Sequence, residues 1–319
     1  MARKTRLSAI LAKIETTYGT DAVPTGADNA VLISDPTFGH TYNNQPRNNI
    51  KSYLGGDEEL VGTRYVTCSF SVEISGSGAA GTAPAWGPLL RACGMAETVS
   101  AGARVEYNPI SSAFESLTIY YHRDGVVHKA LGCRGTAEFN LEEGSIPKMV
   151  FNFTGLDGGP AEASNPTQTL TAWKTPVVVT TANSAAVKLG CTYATGALSG
   201  GTEFCSRGLM LNLGNEVQYS SMLGPCTEVD IPNRASTGSL QLDLDAAAEV
   251  AAYAAISANT LTSVGLVHGT AAGAKVLVFA PAVQRINPTQ QDYNGRIQIG
   301  MDLRALPLTG NDEIRIVAL

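Results

Sequence analysis

Residues 64–75, RYVTCSFSVEIS, alternate without a break: Val66, Cys68, Phe70, Val72 and Ile74 on one side, Thr67, Ser69, Ser71 and Glu73 on the other. A period of two with one apolar face predicts a strand with a buried side and a wet side. TGSLQLDLD at 237–245 repeats the pattern, with Leu240, Leu242 and Leu244 set against Gln241, Asp243 and Asp245. GRIQIGMDLRAL places Ile297, Ile299, Met301 and Leu303 on one face. FESLTIYYHRDGVVHKALGC at 114–133 predicts a hairpin, because Asp124-Gly125 is a favoured two-residue turn. TAEFNLEE, KMVFNFTG, CSRGLMLNLG, TSVGLVHG, AKVLVFAPAVQ and EIRIVAL read as further strands.

Two stretches read as helices. PAWGPLLRACG at 84–94 has proline for its first turn and Gly94 to end it, and AAAEVAAYAAISA spans 246–258. Residues 3–18 read as a short amphipathic helix or an extended arm, and 31–40 as a strand broken at Pro36. Residues 42–60 and 215–236 have no clean period and read as long loops, which are usually functional when they occur in a compact domain. LDGGPAEASNPTQT, 156–169, has the composition of a linker. The order strand, long loop, alternating strand, helix, hairpin, final strand therefore occurs twice. It predicts a mainly β chain with minor α, duplicated as 1–165 and 166–319. Hairpin-rich proteins can also be laid on themselves in this way without duplication.

The chain has 319 residues, enough for two medium domains, yet only 16% are charged. Such a neutral surface suits burial against copies of itself, as it does an ordinary β-rich protein. A net charge of −6 argues against adhesive binding to nucleic acid, which needs a basic surface. The six cysteines, at 68, 93, 133, 191, 205 and 226, lack the spacing of a zinc knuckle or redox pair and fit a reducing compartment. The basic N-terminus is interrupted by Lys13 and Glu15, so no export signal forms, and nothing approaches transmembrane length.

Gly76-x-Gly78-x-x-Gly81 has the spacing of a dinucleotide-binding turn. That turn needs a strand buried on both faces and a helix beginning within the glycines, followed by a crossover. Here the strand is polar on one face, the helix begins later, and hairpins follow, so the glycines read as a flexible turn. His122 and His128 flank the hairpin turn, where they pair with Val127 and Tyr121 and point to opposite faces. They cannot share a metal within the hairpin. Glu142-Glu143 and Asp312-Glu313 sit beside turns as solvated acids. No nucleophile with an identifiable base is present, which predicts no catalytic, cofactor or metal site.

LAKIETTYGTDAVPTGADNAVLISDPTF near the start, GSGAAGTAPAWGPLLRACGMAE, VEYNPISSAFESLTIYYHRDGVVHKALGCRGTAEFNL and FNFTGLDGGPAE resemble major tail tube proteins of long-tailed, non-contractile bacteriophages. The resemblance is clearest over 7–162. It implies tandem antiparallel β-sandwich or barrel-like domains, each with a flanking helix, in a virion structural protein made in the host cytoplasm. It implies self-assembly into stacked rings, with one sheet from each copy joining its neighbours around a lumen that DNA traverses without specific binding. Two tube domains in one chain would complete a pseudo-sixfold ring with three chains. Further implied partners are a tail terminator, distal tail proteins and a tape-measure protein in the lumen; no membrane is implied.

Within that frame Glu73, Asp243, Asp245 and Asp302, on polar strand faces, are candidates to line an acidic lumen; an ordinary solvated strand face is the other reading. Tyr42, Arg47, Tyr53 and Leu54 in the first loop, and Tyr219, Met222 and Leu223 in the second, are candidates to reach the next ring. Another virion part, such as a tail terminator or capsid decoration protein, is the alternative, followed by a carbohydrate-binding or adhesin module.

Overall fold

The computed structural model describes residues 3–319 and is mainly β, with 54% strand and 6% helix. In the first half the elements are β1 (Ser8–Ile14), β2 (Ala30–Val31), β3 (Ser34–Pro46), β4 (Glu59–Glu73), α1 (Gly87–Ala92), β5 (Met95–Ser100), β6 (Arg104–Pro109), β7 (Leu117–Arg123), β8 (Val126–Glu142) and β9 (Lys148–Glu162). They continue with β10 (Val187–Leu189), β11 (Thr192–Ala194), β12 (Ala197–Ser199), β13 (Thr202–Asn212), β14 (Asn215–Ser221), β15 (Thr227–Arg234), β16 (Thr237–Asp243), α2 (Ala246–Ser257), β17 (Leu261–His268), β18 (Val276–Tyr293), β19 (Arg296–Ala305) and β20 (Arg315–Ala318). The ladders are antiparallel, and the fold is of the β-sandwich or barrel-like class.

Two ladders share one order. In the first half β3 pairs β4, then β9, β8, β7 and β1 follow. In the second half β13 pairs β16, then β19, β18, β17 and β10 follow. The chain order of matching strands is also the same, and each helix follows the matching strand, β4 or β16. The halves are not separate sheets. β13 pairs with the far end of β8, Leu209 opposite Leu141, and β20 pairs with β6, Val317 opposite Glu106.

Local structure follows the alternation closely where one face is buried. The register Phe70↔Phe151 and Val72↔Met149 puts large side chains into one core with Trp86, Leu89 and Leu90 of the α1 region. Each such side chain contributes roughly 1.5–3 kcal/mol when fully buried. The Asp124-Gly125 turn has φ of 40° and 92°, as a type I′ hairpin requires, and sets His122 opposite Val127 and His128 opposite Tyr121. α2 begins where Asp245 Oδ1 accepts from the Ala248 N–H at 2.8 Å.

Several expectations are corrected. Residues 42–60 are not a loop but the outer part of the β3–β4 hairpin, and 215–236 hold the β14–β15 hairpin, leaving only tips at 47–58 and 222–226 unpaired. The outer β3–β4 arm buries no face, and of the apolar residues of the β14–β15 arm only Val229 and Ile231 are buried, so neither stretch carries a sustained hydrophobic period. Residues 8–14 of the expected helix or arm are β1, paired with β7 throughout. TAEFNLEE is the continuation of β8 rather than a new strand, and the expected linker starts late, because β9 runs to Glu162. The first helix is shorter than 84–94, covering Gly87–Ala92. The glycine turn is not a free hinge. A Cβ on Gly76 would lie 2.1 Å from the Gly273 carbonyl oxygen, and Gly78, at φ +90°, donates its N–H to that oxygen at 2.8 Å. The glycines let two backbone turns from opposite halves touch.

One buried carboxylate ties β1 to the hairpin beside it. Glu15 accepts from Gly19 N, Ser116 Oγ, Thr118 Oγ1 and Gly132 N at 2.7–2.8 Å. Charge-assisted bonds of this kind are the strong ones, and a donor left without an acceptor in a buried place is costly. E15Q turns an amide NH2 toward donors and is expected to lower unfolding free energy by about 2–3 kcal/mol. Urea titration checks this; a wild-type midpoint and slope would refute the role.

Candidate self-association surfaces

β8 is longer than the strand beside it. β7 occupies its edge from Val127 to Cys133, and β13 takes the same edge from Glu138 to Glu142, while β9 covers the other side. β18 is built alike: β17 serves its edge from Val276 to Gln284, and β19 the other side to Tyr293. No strand among the described residues follows β17 along Asn287–Tyr293. The strand matching β13 is β3, and β3 pairs with β4 alone. The bulge beside Gly208 in β13 has a counterpart between Ser34 and Thr37, where Asp35 sits at φ 52°. The chain thus carries one filled edge-to-edge junction, and both halves of a second one stand open.

The two hairpin arms differ in the same way. The β14–β15 arm lies on the first half. Arg134 of β8 donates to the Val229 carbonyl at 2.8 Å and to Asp230 at 3.2 Å, and Tyr18 Oη accepts from Val229 N. Asn215 donates to the carbonyls of Cys93 and Gly135, and Tyr219 stacks on Tyr65 with centroids 5.0 Å apart. The outer β3–β4 arm has no such seat. Tyr42, Tyr53, Leu54, Leu60 and Val61 are exposed, Arg47 is paired with Glu58, and Lys51 lies over the Tyr53 ring. Met222 and Leu223 are exposed at the other tip. The seven loop residues proposed from sequence therefore divide. Tyr219 is engaged within the chain, and the other six stand on exposed arm or tip positions.

Of the four acids, Glu73 ends β4 opposite Lys148 on the polar face. Asp243 ends β16 and pairs with Arg296 at 2.7 Å. Asp302, in β19, is exposed and accepts from Asn287 at 2.9 Å. Asp245 lies outside the strand and caps α2.

The side chains with chemical potential are dispersed. Among the described residues no three His, Cys, Asp or Glu stand together as metal ligands. A groove of about 610 Å³ beside β13 and β18 contains Cys205, Asp243 and Arg207 but no histidine. Cys68 is buried, which pushes its thiol up to about 12, and all six cysteines are free. One contact was hidden from sequence because its members lie far apart in it. His40 Nε2 meets His128 Nδ1 at 3.0 Å, with Asp157 3.5 Å from His40 Nδ1 and Arg64 on the other side of Asp157. The pair fastens the base of the outer arm to the hairpin.

Burial lowers the pKa of His122, His128 and His268; the neighbouring His40, Arg3 and Arg123 lower that of His128 further. The unfolded chain then binds protons first as pH falls, so stability is full above about pH 6.5 and declines below it. The urea midpoint is expected to be lower at pH 5.5 than at pH 7.5. An equal or higher midpoint at pH 5.5 would refute this.

The long bare edges and the exposed arms describe a surface suited to other protein. No curated protein matches the chain. A family model described as phage tail tube protein matches residues 5–315. The match spans nearly all of both halves, and the chain belongs to the phage tail tube protein family.

Proposed function

We propose that this structural subunit polymerises head to tail into stacked rings that form a hollow conduit for DNA, without enzymatic activity of its own. The observation that carries the reading is the matched pair of open edges. Residues 289–293 of β18 take the place that Glu138–Glu142 of β8 holds, and the start of β3 takes the place of Gly208–Asn212 of β13. A contact of one copy's β18 with another copy's β3 is heterologous, and such contacts either close into rings or run on as filaments. Closure removes the edges, which are otherwise an aggregation hazard.

On this reading 1–165 and 166–319 are two tube domains, and three chains make a ring of six. The polar faces not covered by an arm line the channel, with Glu73, Asp243 and Asp302 on strands bordering it and Asp245 set aside at its helix cap. Acidic side chains there repel phosphates, which favours passage over binding. In the virion tail the partners are further copies of the chain, a terminator and distal tail proteins at the ends, and a tape-measure protein inside during assembly.

Electron microscopy of the purified protein at high concentration, joined to mass measurement of single rings, tests both levels. Tubes or rings with three chains per ring are expected. Six chains per ring would overturn the two-domain reading, and a protein that stays monomeric under all conditions, with no tubes in infected-cell lysates, would overturn the conduit.

A further inference from the structure

The seat of the β14–β15 arm within the chain is a template for a second seat that the chain leaves empty. Phe70 and Leu240 occupy matching core positions, opposite Phe151 and Met301. Counting back from them, Glu59, Leu60, Val61 and Arg64 stand where Val229, Asp230, Ile231 and Arg234 stand in β15. Val229 and Ile231 are 0% and 5% exposed against the first half, whereas Glu59 and Val61, at the same places, are exposed, Val61 by 66%. The same residues of the two arms are thus covered in one case and bare in the other.

The receiving surface can be matched in the same way. Arg134, which grips the inner arm, pairs with Thr154 across β8 and β9. Each of β8 and β18 has an irregularity against its shorter neighbour before this point, Leu117/Ile119 opposite Cys133 and Ala130 and Thr262/Val264 opposite Val283 and Ala280. The register then places Gln284 at the Arg134 position and Arg304 at the Thr154 position. The guanidinium has moved one strand across, from β8 to β19. Arg304 is exposed, and among the described residues it forms no ion pair. Ile286, beside it on the same face, is half-buried.

The charges of the outer arm leave one acid over. Asp57 is held by Lys51 and Glu58 by Arg47, both within the arm. Glu59 is exposed and has only the Asn44 amide, at 3.3 Å. A carboxylate without a cation on the arm and a guanidinium without an anion on the matching surface are complementary. They cannot meet in one chain, because β3 and β4 flank the first half and β19 belongs to the second.

We propose that the outer β3–β4 arm of one copy lies across β18 and β19 of the next copy, with Val61 covered by Gln284 and Ile286 and with Glu59, on the same side of the strand, on Arg304. The proposal rests on the ring reading above and adds its partner surface. It assigns the arm to the neighbour reached through the β18–β3 junction, as the inner arm is seated beside the β8–β13 junction. Only the tip at 47–58 is left to extend beyond that neighbour.

Disulfide trapping tests the contact. The variant carries V61C and Q284C, with exposed Cys205 and Cys226 changed to serine. After assembly and mild oxidation, covalent dimers and trimers are expected on a non-reducing gel, and none from the dispersed protein. Assembled tubes that stay uncrosslinked would overturn the arm's seat while leaving the conduit intact; a wild-type chain that forms neither rings nor tubes would remove both. A charge exchange gives an independent reading. R304E is expected to slow tube formation at least tenfold with the monomer's circular dichroism unchanged, and R304E with E59R to recover it. Wild-type assembly of R304E, or no recovery in the double variant, would overturn the Glu59–Arg304 pairing.

Discussion

Every backbone N–H and C=O along β8 needs a partner, and on the side away from β9 no single strand of the first half is long enough to supply them. β7 stops at Cys133, and the strand runs on to Glu142. The unserved stretch is an open edge within reach of the second half, and β13 fills it. The union of the halves follows from that pairing. It brings the β14–β15 arm over the first sheet, sets Asn215 between Cys93 and Gly135, and leads Arg234 to the Ile110 carbonyl and Glu313. Repeating the same strand plan in the second half repeats the same deficit, at β18, and among the described residues no strand meets it.

The core and the surface divide the work. Apolar side chains on one face of each ladder hold the sheets around α1, while the other face carries two smaller apolar clusters, Leu11 with Tyr120 and Val127 under Leu170, and Leu277 with Phe279 and Val317 under Leu198. Specificity at the junction of the halves rests on polar contacts: Arg134 on Val229 and Asp230, and the touching backbone at Gly76 and Gly273. Low charge fits a chain whose exposed strands are meant to be paired, since like charges at closely packed edges would oppose association. The histidine pair His40–His128 belongs to this framework, pinning the arm's base to the hairpin.

Much of the fold was legible in the sequence wherever a buried face imposed a period. The strands around Phe70, Leu240 and Met301, the Asp124-Gly125 hairpin, the opposed faces of His122 and His128, and α2 all follow from alternation, turn chemistry or capping. The ribbons at 42–60 and 215–236 were not legible as strands, because the first buries no face and the second buries only Val229 and Ile231, too few positions to set a hydrophobic rhythm. β1 was hidden by an apolar run, Ser8–Ile14, that fits helix or strand equally until β7 is known to lie beside it. Asp245 looked like one more polar strand position, since a cap and a strand end share the same residue type.

The sequence by itself determined the class of the protein: a mainly β chain with few charges and two similar successions of strand and helix. Local periods and turn residues suffice for that, because they act between neighbours along the chain. Only the tertiary structure decided that the halves share one sheet, that one arm is seated and the other free, and that two strand edges remain open. Those features depend on which distant backbone satisfies which hydrogen bond, and pairing between strands leaves no mark in the order of residues along either one.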